Sequence, residues 1–114
     1  MEKINNDNAK SQMRKGMLEY CILLIIKDKP AYAPDIIRAL KEAKLIVVEG
    51  TIYPLLMRLK NLKMLSYQWV EVESAQGPPR KYYQLTEIGH QFLAELETAW
   101  EEINQAINTL KSTY

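Results

Sequence analysis

A proline inside an apolar helical repeat is the feature that most constrains this chain. In GTIYPLLMRLK, residues 50–60, apolar side chains recur with the spacing of one helix face, yet residue 54 is proline. Proline lacks a backbone N–H group and its ring collides with the preceding turn, so helix interiors exclude it. The first amides of a helix have no internal partner, and proline is tolerated there. We therefore predict a helix that begins here, with Thr51 as its N-cap and Pro54 at its third helical position.

This predicted helix has an apolar face and a polar face. The inward stripe consists of Ile52, Leu55, Leu56, Leu59 and Leu62. The residues left outside are Thr51, Tyr53, Met57, Arg58, Lys60 and Asn61. Hydroxyl, cationic and amide groups near a helix N-terminus are typical of a helix that contacts bases and phosphates. A threonine there can equally serve only as a cap, and an arginine only as surface charge, so both interpretations stay open.

Two helices are predicted upstream. Apolar residues at helical spacing predict the first from Ser11 to Lys27, and the proline of KDKP ends it. The second is predicted from Ala33 to Ala43. Pro34 and Asp35 suit its first turn, because proline needs no donor there and a carboxylate favours the helix dipole. Residues 1–10 are polar, and we expect them to be flexible.

Downstream of the third helix the apolar period changes from helical to alternating. LSYQWVEVES, residues 65–74, has the alternation and the aromatic residues of a strand. AQGPP, residues 75–79, has turn chemistry, and RKYYQL, residues 80–85, is the return strand. The sequence therefore predicts a two-stranded β-hairpin that carries Arg80 and Lys81 at its tip.

A last helix is predicted from LTEIGHQFL onward. Thr86 suits its N-cap and Glu87 its first turn. Apolar residues then follow at heptad spacing: Phe92, Leu96, Trp100, Ile103, Ile107 and Leu110. An exposed apolar seam of this length needs to be covered. Its cover is another helix, either from this chain or from a second copy.

Composition excludes several classes of protein. The 114 residues suit one domain, and no apolar run approaches the length that spans a bilayer. The polar N-terminus is neither a signal peptide nor an anchor, and a cytoplasmic protein is expected. The single cysteine, Cys21, lies in an apolar run and is expected to be a buried structural thiol. With one histidine there is no metal set, and no nucleophile–base pair is indicated, so neither an enzyme nor a cofactor is predicted.

The formal net charge of +1 is unevenly distributed along the chain. Residues 1–48 hold nine basic and six acidic side chains, residues 49–85 hold five and three, and residues 86–114 hold one and five. The net charges of these parts are +3, +2 and −4. A basic region followed by an acidic tail indicates separate roles for the two parts.

Three helices, a hairpin and a further helix are the order of a winged helix-turn-helix. The predicted fold is mainly α with a two-stranded β wing, comprising a DNA-binding domain at 11–85 and a C-terminal dimerisation helix at 86–114. The third helix would enter the major groove, and the wing would reach phosphates or the minor groove. Arg80 and Lys81 are predicted to contact phosphates, with a solvated basic turn as the alternative.

Three strings resemble the PadR-like transcriptional regulators: AYAPDI at 31–36, EGTIYPLLMRL at 49–59 and GPPRKYYQLTEIGHQFL at 77–93. The family pattern has glycine-threonine-leucine-tyrosine-proline-leucine-leucine in the recognition helix. After the wing it has arginine-lysine-tyrosine-tyrosine, then leucine-threonine and a glycine. This chain departs from the pattern at Ala33 and Pro34, where glycine and tyrosine are usual, and at Lys63, where a helix-ending glycine is usual.

The resemblance implies a homodimeric repressor of the short subfamily with one C-terminal dimerisation helix. Some members of that subfamily sense planar aromatic compounds in a pore at the dimer centre, lined by a tryptophan that Trp100 matches. Met13 and Met17 would line such a pore, although plain core packing explains all three residues as well. The predicted DNA-binding residues, including Tyr32 by resemblance, are Tyr32, Thr51, Tyr53, Arg58, Lys60, Asn61, Arg80 and Lys81. The rival hypothesis is a winged-helix interaction or ligand-sensing module that binds no operator.

Overall fold

The computed structural model describes residues 17–45, 49–71 and 77–114. Its described elements, in chain order, are α1 (residues 17–26), β1 (Ala31–Tyr32), α2 (Ala33–Glu42), α3 (Glu49–Asn61), β2 (Leu65–Val70), β3 (Arg80–Leu85) and α4 (Glu87–Thr113). The molecule is mainly helical with one small antiparallel sheet, so the predicted winged-helix fold class is confirmed. The predicted start of the first helix at Ser11 lies outside the described residues.

Helices α1, α2 and α3 pack around one apolar core. The largest fully buried side chains come from these three helices: Ile22, Leu23, Ile26, Ile36, Leu40, Ile52, Leu56 and Leu59. Burying each such side chain is worth about 1.5–3 kcal/mol. The prediction that Leu62 belongs to the inward stripe is wrong, because Leu62 follows the last residue of α3 and is 47% exposed. The core thus fixes one face of α3 inward and leaves the other to solvent.

The sheet has three strands in the order β1-β3-β2, so β3 is its centre. The hairpin of β2 and β3 is the predicted wing, and its register pairs Trp69 with Lys81. The short strand β1 was not predicted, because two residues carry no detectable period. It pairs Tyr32 with Tyr82 and thereby joins the start of α2 to the wing.

Helix α3 begins earlier than predicted. The assignment of Thr51 as N-cap is wrong, because Thr51 is the third residue of the helix Glu49–Asn61, and Pro54 is the sixth. A proline at this point removes only the bond that its amide would donate to the Gly50 carbonyl. Because Gly50 is exposed, water can solvate that carbonyl instead. The helix still tolerates Pro54 by its closeness to the N-terminus, about one turn later than expected.

Helices α2 and α3 are each followed, two residues after their last residue, by a lysine with left-handed backbone geometry. The φ angles are 65° at Lys44 and 64° at Lys63. After α3, the Lys63 N–H donates to the Lys60 carbonyl at 2.9 Å and the Met64 N–H to the Leu59 carbonyl at 3.0 Å. This is a Schellman motif, which usually has glycine at the left-handed position. The backbone therefore leaves α3 toward β2 without the usual glycine.

Helix α4 is held against the turn that follows α3. Thr86 is its N-cap, as predicted: its hydroxyl accepts the Gly89 N–H at 3.0 Å and donates to the Lys63 carbonyl at 2.6 Å. The Thr86 N–H donates to the Met64 carbonyl at 3.0 Å. Gly89 is buried, and a Cβ atom there would overlap the Met64 carbonyl oxygen. Glycine at this position therefore permits the close approach of α4 to Met64, in the turn between α3 and β2.

The second half of α4 extends away from the core. The helix has 27 residues, which corresponds to about 40 Å, and the principal-axis extents of the molecule are 58 × 35 × 23 Å. Phe92 and Leu96 pack against the core of their own chain. The remaining apolar seam residues are 40–56% exposed: Trp100, Ile103, Ile107 and Leu110. The predicted seam is thus divided between the core of its own chain and a free helix surface.

Candidate nucleic-acid interface

The outer face of α3 is open to solvent. It lies opposite the buried Ile52, Leu56 and Leu59, and its exposed residues are Gly50, Thr51, Tyr53, Pro54, Met57, Arg58, Lys60 and Asn61. All the contact residues predicted on this helix belong to this exposed set. A helix fixed by its apolar face, with polar groups on the other, is free to enter a major groove.

Arg58 differs from the other predicted basic contacts because an acidic side chain of the same chain pairs with it. Its guanidinium forms an ion pair with the Glu19 carboxylate of α1, and the two side chains are 57% and 26% exposed. Within the described ranges, Lys60, Arg80 and Lys81 form no such ion pair. Arg58 therefore ties α3 to α1, whereas the other basic side chains keep their charge available to an outside partner.

Arg80 and Lys81 occupy the first two positions of β3, so their side chains point to opposite faces of the sheet. Arg80 lies over the Tyr32 ring, with 5.0 Å between its Cζ atom and the ring centroid. The Tyr32 and Tyr82 rings are themselves 5.8 Å apart. The predicted contacts Arg80 and Tyr32 thus lie together where the wing meets the start of α2.

Lys81 lies on the other face of the sheet, among three aromatic rings. Its Nζ atom is 4.0 Å from the centroid of Tyr67, 5.4 Å from Tyr83 and 5.7 Å from Trp69. The Nζ atom of Lys60, on α3, is 5.7 Å from the same Tyr67 ring. Each cation–π contact of this kind is worth about 0.5–1 kcal/mol when exposed. Tyr67 therefore draws a wing lysine and a recognition-helix lysine toward one place.

Tyr67 and Trp69 are site residues whose sequence pattern indicated only a strand. Strand alternation places both on the same face of β2, and the register then sets Trp69 beside Lys81. Trp69 is 63% exposed, which is unusual for so large an apolar side chain. The alternation was visible in the sequence, but the pairing with Lys81 depends on the hairpin register.

A cleft of about 360 Å³ lies between the start of α2, the start of α3 and the wing. Its walls include Tyr32, Tyr53, Trp69, Arg80 and Lys81. Tyr32 is the N-cap of α2 and makes no side-chain capping bond. The amides at a helix N-terminus favour a negative charge, so the two cations and this helix end all suit phosphate groups.

Of the residues predicted for dimerisation and effector binding, those that the structure describes lie on α1 and α4. Met17 is half-buried, Trp100 is 40% exposed, and Met13 lies outside the described residues. The two helices are neighbours, since the Nζ atom of Lys27, the residue after α1, lies 3.9 Å from a Glu97 carboxylate oxygen.

Neither a metal-binding cluster nor a membrane-spanning helix occurs in the part of the chain that the structure describes. Within residues 17–45, 49–71 and 77–114, no cluster of three or more His, Cys, Asp or Glu side chains is arranged to bind a metal ion. In the same ranges no helix combines the length and the apolar character that a membrane crossing requires. Cys21 is half-buried rather than fully buried, and burial raises the pKa of its thiol.

Comparison with known proteins identifies relatives. The family model "Transcriptional regulator PadR-like family" matches residues 22–95. The fold also matches solved structures of proteins described as PadR-like or PadR family regulators. One, from Bacteroides fragilis, is 65% identical to this chain, with a TM-score of 0.75, covering 90% of this chain and 98% of the other.

Two further solved structures extend the comparison. A PadR-like transcriptional regulator from Bacillus cereus is 36% identical, with a TM-score of 0.77, over 90% of this chain and 99% of the other. A PadR family transcriptional regulator from Eggerthella lenta is 28% identical, with a TM-score of 0.83, over 95% and 93%. The similarity therefore includes α4 as well as the winged-helix domain.

Proposed function

The chain belongs to the PadR-like family of transcriptional regulators, and from this premise we propose that it is a cytoplasmic, homodimeric repressor that binds a pseudo-palindromic operator. It is a DNA-binding transcription regulator rather than an enzyme, as its family membership indicates. The observation that carries the proposal is the exposed outer face of α3 flanked by the lysines at Tyr67.

DNA binding is divided between α3 and the wing. The exposed face of α3 enters the major groove, and Lys60 and Lys81 contact the phosphates that border it. Arg80 and Tyr32 contact phosphates from the other face of the sheet, beside the start of α2. These contacts supply affinity and orientation but little sequence information, since phosphates are the same at every base pair.

The dimer forms through α4. The exposed seam residues Trp100, Ile103, Ile107 and Leu110 pack against the same residues of a second copy, which removes their apolar surface from water. Two recognition helices then reach half-sites about 34–36 Å apart. Sedimentation of Ile103→Glu should show a monomer at concentrations where the wild type is a dimer. Asn104→Glu adds the same charge at an exposed neighbouring position and should remain dimeric.

An effector completes the proposal. A planar aromatic compound stacks on Trp100 at the dimer centre, with Met13 and Met17 as adaptable walls, and weakens operator binding. Trp100 fluorescence, with Trp69→Phe as the background, should be quenched by such a compound. The compound must also lower operator affinity by the factor by which the operator lowers affinity for the compound. Quenching without this reciprocal effect would exclude regulation.

The wing assignment has a sharp test in the salt dependence of operator binding. Lys81→Ala and Arg80→Ala should each flatten the plot of log K against log salt by about 1.8, because each removes one phosphate contact from each of the two half-sites that the dimer binds. Lys111→Ala is the matched control: it removes one positive charge from the end of α4 and should leave the slope unchanged. If all three variants behave alike, only net charge matters and the wing does not contact phosphate.

Operator binding and repression are tested together. A gel shift of the purified protein with the DNA upstream of its own gene should show a specific complex that competitor DNA of unrelated sequence does not remove. Transcription in vitro from that DNA should fall as the complex forms. A specific complex that raises transcription would replace the repressor with an activator.

A further inference from the structure

We propose that Met57 recognises thymine in the operator, through contact between its side chain and the C5 methyl group in the major groove. The inference rests on the proposed function, because it requires α3 to enter that groove. It adds the chemistry of the sequence readout: the centre of the contact is apolar, and the half-site carries a thymine opposite Met57.

The first support is the composition of the outermost line of α3. Residues advance by about 100° each around a helix, so Gly50, Pro54, Met57 and Asn61 fall on the line opposite the buried Ile52–Leu56–Leu59 stripe. All four are exposed. Asn61 is the only one with a polar side-chain group. The part of α3 that reaches deepest into a groove is therefore mostly apolar.

The second support is where the polar groups of α3 lie. Tyr53 and Lys60 are displaced toward the wing, where Tyr53 lines the cleft and Lys60 approaches Tyr67. Arg58 is displaced the other way and is bound to Glu19. These groups lie at the sides of the helix, where the two phosphate backbones border the groove. They leave the base edges to the outermost line, where Asn61 is polar and Met57 is the long apolar side chain.

The third support is the exposure and chemistry of Met57 itself. Its side chain is 64% exposed, although the neighbouring core has buried every large apolar residue of the opposite stripe. Thymine is the base that presents a methyl group in the major groove. A methionine side chain is long, unbranched and polarizable, so it adapts its contact to such a group. At Gly50, where an added Cβ would meet nothing within 4 Å, the backbone is free to approach the bases.

The experiment replaces thymine by deoxyuridine, which removes the methyl group and keeps every hydrogen-bonding group. The wild-type chain first selects its preferred duplexes from a random pool. Each thymine of the enriched half-site is then replaced in turn, and dissociation constants are measured at one fixed salt concentration. The same duplexes are measured with Met57→Ala. Leu62→Ala is the matched control, since it removes another exposed apolar side chain beside the end of α3.

Replacing one particular thymine, in one half-site at a time, should weaken wild-type binding about fourfold, the factor expected for one buried methyl group. Met57→Ala should bind the thymine and deoxyuridine duplexes equally, and Leu62→Ala should keep the fourfold difference. The inference is overturned if the wild type is indifferent to every replacement, or if Met57→Ala still discriminates. In either case selective DNA binding, and with it the proposed function, stands. A chain that enriches no sequence at all overturns both.

Discussion

Replacing Gly89 by alanine should loosen the attachment of α4 to the winged-helix domain. Gly89 is buried in the first turn of α4, and an added Cβ would overlap the carbonyl oxygen of Met64. The same Cβ would lie 3.1 Å from the Met64 carbonyl carbon and 3.3 Å from Leu85 Cδ2. The nearest obstacle is backbone, which cannot rotate aside as a flexible side chain does. The clash is relieved only if α4 moves away from the turn after α3.

The magnitude follows from opposing contributions. Overpacking of this kind costs about 1–3 kcal/mol. The Met64 carbonyl also accepts hydrogen bonds from the Thr86 amide at 3.0 Å and the Thr86 hydroxyl at 3.2 Å. Displacing α4 puts these bonds at risk, at about 1 kcal/mol each. Alanine returns about 1 kcal/mol of helix propensity. If both bonds are lost, the free energy of unfolding should therefore fall by about 2–4 kcal/mol.

The assay is urea unfolding followed by circular dichroism, at one protein concentration because a dimer gains stability with concentration. Gly50→Ala is the matched control: the residue is also helical, but an added Cβ meets nothing within 4 Å. It should raise the free energy of unfolding by about 0.5–1 kcal/mol. The reasoning is refuted if both variants shift stability in the same direction, or if Gly89→Ala matches the wild type.

Three further predictions concern other regions. Lys44→Gly and Lys63→Gly should each raise the free energy of unfolding by about 0.5–1 kcal/mol, because glycine adopts the left-handed geometry without the strain of a side chain; unchanged urea midpoints would contradict this. Glu19→Gln should tighten operator binding at low salt, because it frees the Arg58 guanidinium for phosphate, and unchanged affinity would assign that ion pair a purely structural role. Burial raises the pKa of Cys21 above its ordinary 9.0, so the fold favours the neutral thiol. The contribution of the neutral thiol to the free energy of unfolding is present below pH 9.0 and is lost as the pH rises through the pKa of the folded chain. Alkylation of Cys21 at pH 8 should be slower in the native than in the unfolded chain, and equal rates would refute this.

Much of the interface could be predicted from local sequence. The exposed side of α3 follows from the positions of its apolar residues, and Thr86 is the cap of α4 because its hydroxyl binds an amide three residues ahead. The start of α3 was predicted wrongly because local sequence limits a helix start to a region without selecting one residue. The sequence shows that Pro54 belongs near a helix beginning, but several preceding residues are compatible with that requirement, and the structure begins the helix at Glu49.

Contacts between distant segments required the tertiary structure. No short window of sequence signals the pairing of Arg58 with Glu19 or the approach of Lys60 and Lys81 to Tyr67. The same is true of the short strand β1, which pairs with β3. The sequence placed Arg80 and Lys81 together as one basic pair. The register of β3 separates them to the two faces of the sheet, where each meets different aromatic partners.

The chain by itself determined which segments form the helices and the two wing strands, and which side of α3 avoids water, because these properties depend on residues within a turn or two of one another. Only the folded molecule decided which cations stay free, which are paired, and how closely α4 can approach the wing. Those outcomes depend on packing: Gly89 matters because of the carbonyl of Met64, in the turn between α3 and β2, and no residue near Gly89 in the chain encodes that contact.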